Sequence, residues 1–375
     1  MRYCMNNRKT RNPALDIIRC IALLSVICVH FFLNTSYYDD TVAGMHMLIM
    51  TVMRSSFLIC VPLFLMLTGY LVQSTELSKK YYCKITRILY VYLITSLICG
   101  LFGIYFLGIY TVPSAILGVL SFETAPYAWY IEMYLGFFLL IPFLNTMYNG
   151  LQTQKKKQVL LATLLLLTAL PSVLNIYNLY AIFDLNWWAM PSQSPNCVKI
   201  VPDWWSNIYP FTYFFLGKYL REYSIKYKPS QIAVWAILIF LFAGIFNYYR
   251  SYGGIFIWGP WQVYSSLLVT AQSVLIFCFF IKLKYDRLPA AIQNIFSKIS
   301  DISLGAYLIS WIFDSIVYTR LNDAIPSLQQ KLVWFPVVVL LVLTGSLVCA
   351  YVIDLSYSLM MKKTIWQQSN QEARK

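Results

Sequence analysis

An all-α, polytopic membrane protein of about ten transmembrane helices is what this sequence predicts. Apolar residues make up 59% of its 375 and charged ones only 12%, against roughly 25% charge in an ordinary soluble domain. The apolar residues gather into runs of about 20, the length that crosses a bilayer as a helix. Lysine and arginine then alternate between two sets of connecting segments, as the positive-inside bias requires of a chain that weaves across a membrane.

The first run, Leu15–Asn34, follows a basic N-terminus but is long and lacks a small-residue cleavage site, so it reads as a retained helix and not a signal peptide. Ile49–Gln73 follows, interrupted only by Arg54. Ile85–Leu107 is entered through Lys84, and Trp129–Tyr148 carries one carboxylate, Glu132. Val159–Ile176 begins just after Lys155, Lys156 and Lys157, and Ile208–Leu220, the shortest of the set, ends at Arg221. Ile232–Tyr248 follows Lys228, and Val263–Ile281 is closed by Lys282. Ile302–Tyr318 and Val333–Met360, the latter closed by Lys362, complete the ten.

With both termini in the cytoplasm, 23 of the 29 basic residues fall in inner segments, and the outer loops hold only Lys199, Arg250, Arg320 and Lys331. The net charge of +14 is therefore mostly a record of topology, which argues against nucleic acid as a partner and for a lipid bilayer. The organisation expected is a basic cytoplasmic N-terminus over 1–14, one transmembrane domain over 15–361 and a cytoplasmic tail over 362–375. Of nine cysteines only Cys197 falls in an expected outer loop, so a disulfide framework is not expected, and no Cys/His spacing suits a metal site.

The longest connection, from Pro171 to Asn207 on the outside, carries Trp187, Trp188, Trp204 and Trp205 with Pro191, Pro195 and Pro202. Indoles there serve either as interfacial anchors or as flat surfaces for sugar rings. A Gly-x-Ser-x-Gly elbow and a phosphate-cradling Gly-x-x-x-x-Gly-Lys loop are both missing, which leaves a serine hydrolase and an ATPase unsupported.

Arg19 and His30 sit near opposite ends of the first helix, and His30 is one of only two histidines. Eleven residues turn through about 1100°, three turns plus about 20°, so both side chains share one face about 16 Å apart. Ionisable residues inside a span usually face the protein interior or a water-filled cavity.

An Arg, ten residues and a His in a first helix resemble the signature of the acyltransferase 3 family of bacterial integral membrane O-acyltransferases. Val61-Pro62-Leu63-Phe64 through Thr68-Gly69-Tyr70-Leu71 is similar to that family's second-helix pattern, and Lys84-x-x-Arg87 to its basic pair. Trp129-Tyr130 with Pro142, Gly217-Lys218-Tyr219 and Ser303-Leu304-Gly305-Ala306-Tyr307 follow in the family's order and spacing. Three positions depart from it: Thr68 replaces a usual Ser, Tyr127 stands where some relatives carry His, and Ser310 occupies a position where His is common.

The resemblance implies a membrane O-acetyltransferase in the bacterial cytoplasmic membrane. It would move an acetyl group from cytoplasmic acetyl-CoA, with no metal, to a hydroxyl of a cell-surface or capsular polysaccharide, or its precursor, outside. His30 is then the catalytic base, since imidazole is matched to proton removal near neutral pH; its other reading is a histidine bonded to a neighbouring helix for packing. Arg19 would support His30 or bind the donor's phosphates through its planar guanidinium, unless it snorkels to the inner interface. Asp16, one turn earlier, is a candidate partner for Arg19.

Lys84 and Arg87 would meet a donor phosphate, or merely obey the positive-inside bias. Arg54, within a span toward the outside, needs a partner, and Glu132 is the natural one; alternatively Glu132 orients His30. Asp314 is a further candidate for the cavity, and Tyr130 or Trp129 for an oxyanion donor. The rival function is a transporter or flippase for a glycan or lipid-linked intermediate, in which the same buried charges serve a substrate or proton path.

Overall fold

In the computed structural model, residues 11–72, 77–177 and 197–372 are described, and 78% of the chain is helical with no strand among them. Among the described residues, eight helices are long and apolar enough to cross a membrane: Pro13–Asn34, Gly44–Leu71, Ile85–Leu107, Trp129–Gly150, Pro229–Ser251, Pro260–Lys282, Ala290–Ala324 and Leu328–Lys362.

The first of them, α1 (Pro13–Asn34), starts where Asn12 accepts a hydrogen bond from the Ala14 amide and Pro13 takes the first helical position. The second expected span is divided into α2 (Gly44–Phe57) and α3 (Cys60–Leu71) by a turn at Leu58 and Ile59. After a one-turn α4 (Lys79–Tyr82), α5 (Ile85–Phe102) runs into a π-turn closed by Gly108 at φ +65°, a left-handed position that favours glycine. A short helix absent from the sequence reading, α6 (Val112–Leu120), is set by a capping box between Thr111 and Ser114.

Two of the ten expected spans are shorter than the rest. Val159–Ile176 becomes α8 (Gln154–Thr168), of 15 residues, and the one-turn α9 (Pro171–Leu174), while Ile208–Leu220 becomes α10 (Tyr209–Glu222), of 14. At 1.5 Å per residue each is about 21–23 Å long, less than the roughly 30 Å of hydrocarbon. They lie side by side, joined by Thr168 to Thr212 and by the Lys157–Glu222 ion pair at 2.6 Å. The set is completed by α7 (Trp129–Gly150), α11 (Pro229–Ser251), α12 (Leu267–Lys282), α13 (Ala290–Ala324) and α14 (Leu328–Glu372). The last two exceed the expected spans because their polar ends continue the helix beyond the apolar window.

Burial identifies the centre of the bundle. The apolar window of α1 is 67% buried, against 22% for α11 and for α14. Helix α1 packs on α3 and α13, and α13 packs in turn on α5 and α14. A second close crossing joins α3 to α10, where Gly69 faces the backbone of Phe214 and Gly217 faces that of Met66. An added Cβ would lie 1.9 Å from the Phe214 carbonyl oxygen at Gly69, and 2.1 Å from the Met66 oxygen at Gly217. The Thr68-Gly69-Tyr70 and Gly217-Lys218-Tyr219 motifs are thus two sides of one contact, in the manner of small residues that let membrane helices approach.

Gly69→Val or Gly217→Val is accordingly expected to lower stability by at least about 1–3 kcal/mol, the cost of overpacking, read as a fall in unfolding temperature in detergent. Gly136→Ala, where nothing lies within 4 Å of the new methyl, should leave that temperature unchanged or raise it.

Candidate active site

The stripe of α1 that carries Arg19 and His30 lines a cavity of about 380 Å³ between α1, α3, α5, α7, α13 and α14. Arg19, Arg87, Asp301 and Asp354 stand at one end, and His30, Leu33 and Trp129 at the other. The two groups that helical periodicity places on one stripe therefore line one cavity, whose wall is otherwise mostly apolar.

His30 is 7% exposed, and its Nδ1 lies 3.1 Å from Oδ2 of Asp314 on α13. The Tyr127 hydroxyl donates to the same oxygen at 2.7 Å, and the His30 and Tyr127 rings lie against each other with centroids 3.9 Å apart. Burial and the neighbouring Asp314 charge push the Tyr127 hydroxyl well above its ordinary range, so it serves as a fixed donor. The Tyr307 hydroxyl donates to the Tyr127 carbonyl, and Asn34 donates to the His30 carbonyl at 2.8 Å. An imidazole that donates through Nδ1 to a carboxylate presents Nε2 as an acceptor, the tautomer a general base requires.

The carboxylate beside His30 is Asp314, and not Glu132. Glu132 is exposed, on the outer side of α7, and is absent from the cavity wall. Nor does it meet Arg54, whose guanidinium donates to Gln262 Oε1 at 2.7 Å and to the Tyr38 hydroxyl at 3.1 Å. Arg54 also lies 4.8 and 4.9 Å from the centroids of Phe256 and Trp258. Neutral oxygens and aromatic faces stabilise this buried cation, which fastens the 256–262 segment to α2 and takes no part in the cavity wall. Proximity in sequence pattern cannot show this, because all the partners but Tyr38 come from a segment over 200 residues away.

The inner end also differs from expectation. Asp16 pairs with Arg11, at 2.6 Å, and not with Arg19; Arg11 folds back onto the first turn of α1 and reaches Asp301 on α13 at 2.9 Å. Burial alone would lower the Arg11 pKa, but the hydrogen bonds to Asp16 and Asp301 outweigh it and hold it above the usual arginine value. Arg19 donates to Ser300 Oγ at 2.9 Å, and among the described residues no carboxylate lies within ion-pairing distance of it. Arg87 lines the cavity, paired with Asp354 at 2.7 Å. Lys84, in contrast, is exposed with its amine over the Tyr81 ring and lies outside the cavity wall. A wider cavity of about 1330 Å³ shares Arg19 and Asp301 with the first and adds Arg11, Arg221 and Lys298.

Trp129 and Tyr130 both line the outer part of the first cavity; Trp129 stacks on Tyr264, and Tyr130 meets Tyr307 edge to face. Of the outer tryptophans, Trp204 is 71% exposed, while Trp187 and Trp188, with Pro191 and Pro195, lie outside the described residues. Asp314 stands alone as a carboxylate in the apolar middle of α13, the signal by which sequence marks it; Tyr127, in a loop, carries no comparable signal.

A family model described as an acyltransferase domain matches residues 12–351. No curated protein and no solved structure matches the chain.

Arg54→Met is expected to cost about 1–3 kcal/mol by leaving Gln262 unpaired, whereas Glu132→Gln should stay within about 0.5 kcal/mol of the parent. Thermal unfolding of both and of the double variant checks the assignment: the effects should add, since the two side chains do not touch.

Proposed function

The chain belongs to the acyltransferase 3 family and is a membrane acyltransferase, and from that premise we propose that it transfers an acetyl group from cytoplasmic acetyl-CoA to a hydroxyl of a cell-surface polysaccharide outside. The observation that carries the reading is the His30–Asp314 contact at the wall of a cavity that also carries Arg19 and the Arg87–Asp354 pair. On this reading the protein sits in the bacterial cytoplasmic membrane with both termini inside, and residues 15–361 act as one domain.

The residues suit the donor. Arg19 is half-buried on the wall of both cavities with only a serine hydroxyl as its side-chain partner among the described residues, and Arg87 lines the first cavity with it. Planar guanidinium groups hold phosphate oxygens well. About 16 Å of α1 separates Arg19 from His30, a distance that an extended phosphopantetheine arm covers. Arg221 and Lys298, on the wider cavity, add positive charge at the entrance. Lys84 is left to the interface.

Asp314 keeps His30 with Nε2 free, and His30 removes the proton of the acceptor hydroxyl as that oxygen attacks the thioester carbonyl. Tyr130 supplies a hydrogen bond to the oxyanion that forms. When the carbon–sulfur bond breaks, His30 returns the proton to the departing thiolate, so free CoA and an O-acetyl ester are the products and no net proton is released. Trp129, stacked on Tyr264 near the outer mouth, offers a flat face to a sugar ring.

Membranes given acetyl-CoA and the surface glycan should release free CoA and gain O-acetyl signals in proton NMR. His30→Ala should abolish both, and Asp314→Asn should lower kcat by about 10²–10⁴-fold, while Arg19→Gln should raise KM for the donor. Unchanged CoA release in His30→Ala would overturn the reading, and glycan movement without ester formation would favour a transporter.

A further inference from the structure

Asp314 uses only half of its carboxylate on His30 and Tyr127. Its other oxygen, Oδ1, is buried with no hydrogen-bond partner, and so are the Tyr318 hydroxyl and Oδ1 of Asn322. These three lie at i, i+4 and i+8 of α13, successive turns on one face about 6 Å apart. That face turns toward α1: the Tyr318 ring packs on Phe31 with centroids 5.9 Å apart, and Asn322 donates to the Asn34 carbonyl at 2.9 Å. None of the three lines the cavity that holds Arg19 and His30. They form a separate polar strip behind the imidazole.

Leaving a buried polar atom unbonded costs about 1–3 kcal/mol, and three such atoms in one strip call for a shared ligand. The donor and acceptor inventory says which. A carboxylate oxygen and an amide oxygen can only accept, and a phenol can donate or accept. Water carries two protons for the two acceptors and lone pairs for the phenol, and buried water in proteins makes about three such bonds.

We infer that a short chain of buried water lies between α1 and α13, donating to Asp314 Oδ1 and Asn322 Oδ1 and accepting from the Tyr318 hydroxyl. The water completes the hydrogen bonding of the Asp314 carboxylate, so that Oδ2 stays aimed at His30. Tyr318 and Asn322 are then positioning residues that act through Asp314; this part of the inference rests on the reading of His30 as the base, whereas the presence of the water does not.

X-ray radiolytic labelling of the full chain in lipid nanodiscs tests the water, because hydroxyl radicals form wherever ordered water sits. Tyr318 should be oxidised at least about tenfold faster than Tyr213, a buried tyrosine whose hydroxyl is satisfied by the Tyr264 carbonyl. Asn322→Leu should slow that labelling. Labelling of Tyr318 no faster than that of Tyr213, or slowed by sodium as it would be with a cation in the strip, overturns the inference.

Tyr318→Phe keeps the ring on Phe31 and should lower kcat about tenfold with the donor KM unchanged. A rise in KM in place of the fall in kcat, or full activity, would refute the positioning role. Fast labelling of Tyr318 combined with an active His30→Ala variant would refute the base and leave the water standing.

Discussion

The contact between His30 on α1 and Asp314 on α13 is the interaction around which this molecule is arranged. A carboxylate inside a membrane bundle is costly unless it is bonded, and here one oxygen receives both an imidazole nitrogen and a tyrosine hydroxyl. That requirement ties the most buried helix to the long helix beside it and draws in Tyr127, whose carbonyl is in turn held by Tyr307. The imidazole is held in one orientation at the cavity wall as a result. The orientation of the imidazole and the packing of α1 on α13 are thus one constraint.

Charges elsewhere in the bundle follow the same rule with other partners. Arg54 is held by Gln262, Tyr38 and two aromatic faces; Arg11 by Asp16 and Asp301; Arg87 by Asp354. Arg19 differs, since it donates to a serine hydroxyl and has no carboxylate within ion-pairing distance among the described residues. Arg19 lies on the wall of both cavities, while Arg11 and Arg54 join separate segments of the fold.

Where sequence reasoning erred, it erred about partners. Glu132 was expected to meet Arg54 or His30, and Asp16 to meet Arg19. The first joined charges by their depth in the membrane, and the second by a spacing of one helical turn. Depth is one coordinate of three. The azimuth of a helix about its own axis and the identity of its neighbours set the other two, and these turned Glu132 outward and brought Gln262, in the short turn that precedes α12, to Arg54. The splitting of Lys84 from Arg87 has the same origin: residues three apart share a face, but Lys84 lies at the helix start and extends its amine toward Tyr81.

Composition, apolar run length and alternation of basic residues determined the class of fold, because the cost of exposing backbone polar groups to hydrocarbon leaves a spanning chain little choice but helix. The 3.6-residue period likewise determined that Arg19 and His30 share a stripe, since that relation lies within one helix. Only the tertiary structure decided that the stripe faces a cavity, that Asp314 and not Glu132 stands behind the imidazole, and that Gly69 and Gly217 meet at one crossing. Those outcomes depend on contacts between segments up to almost 300 residues apart, and a local pattern carries no record of which helix packs against which.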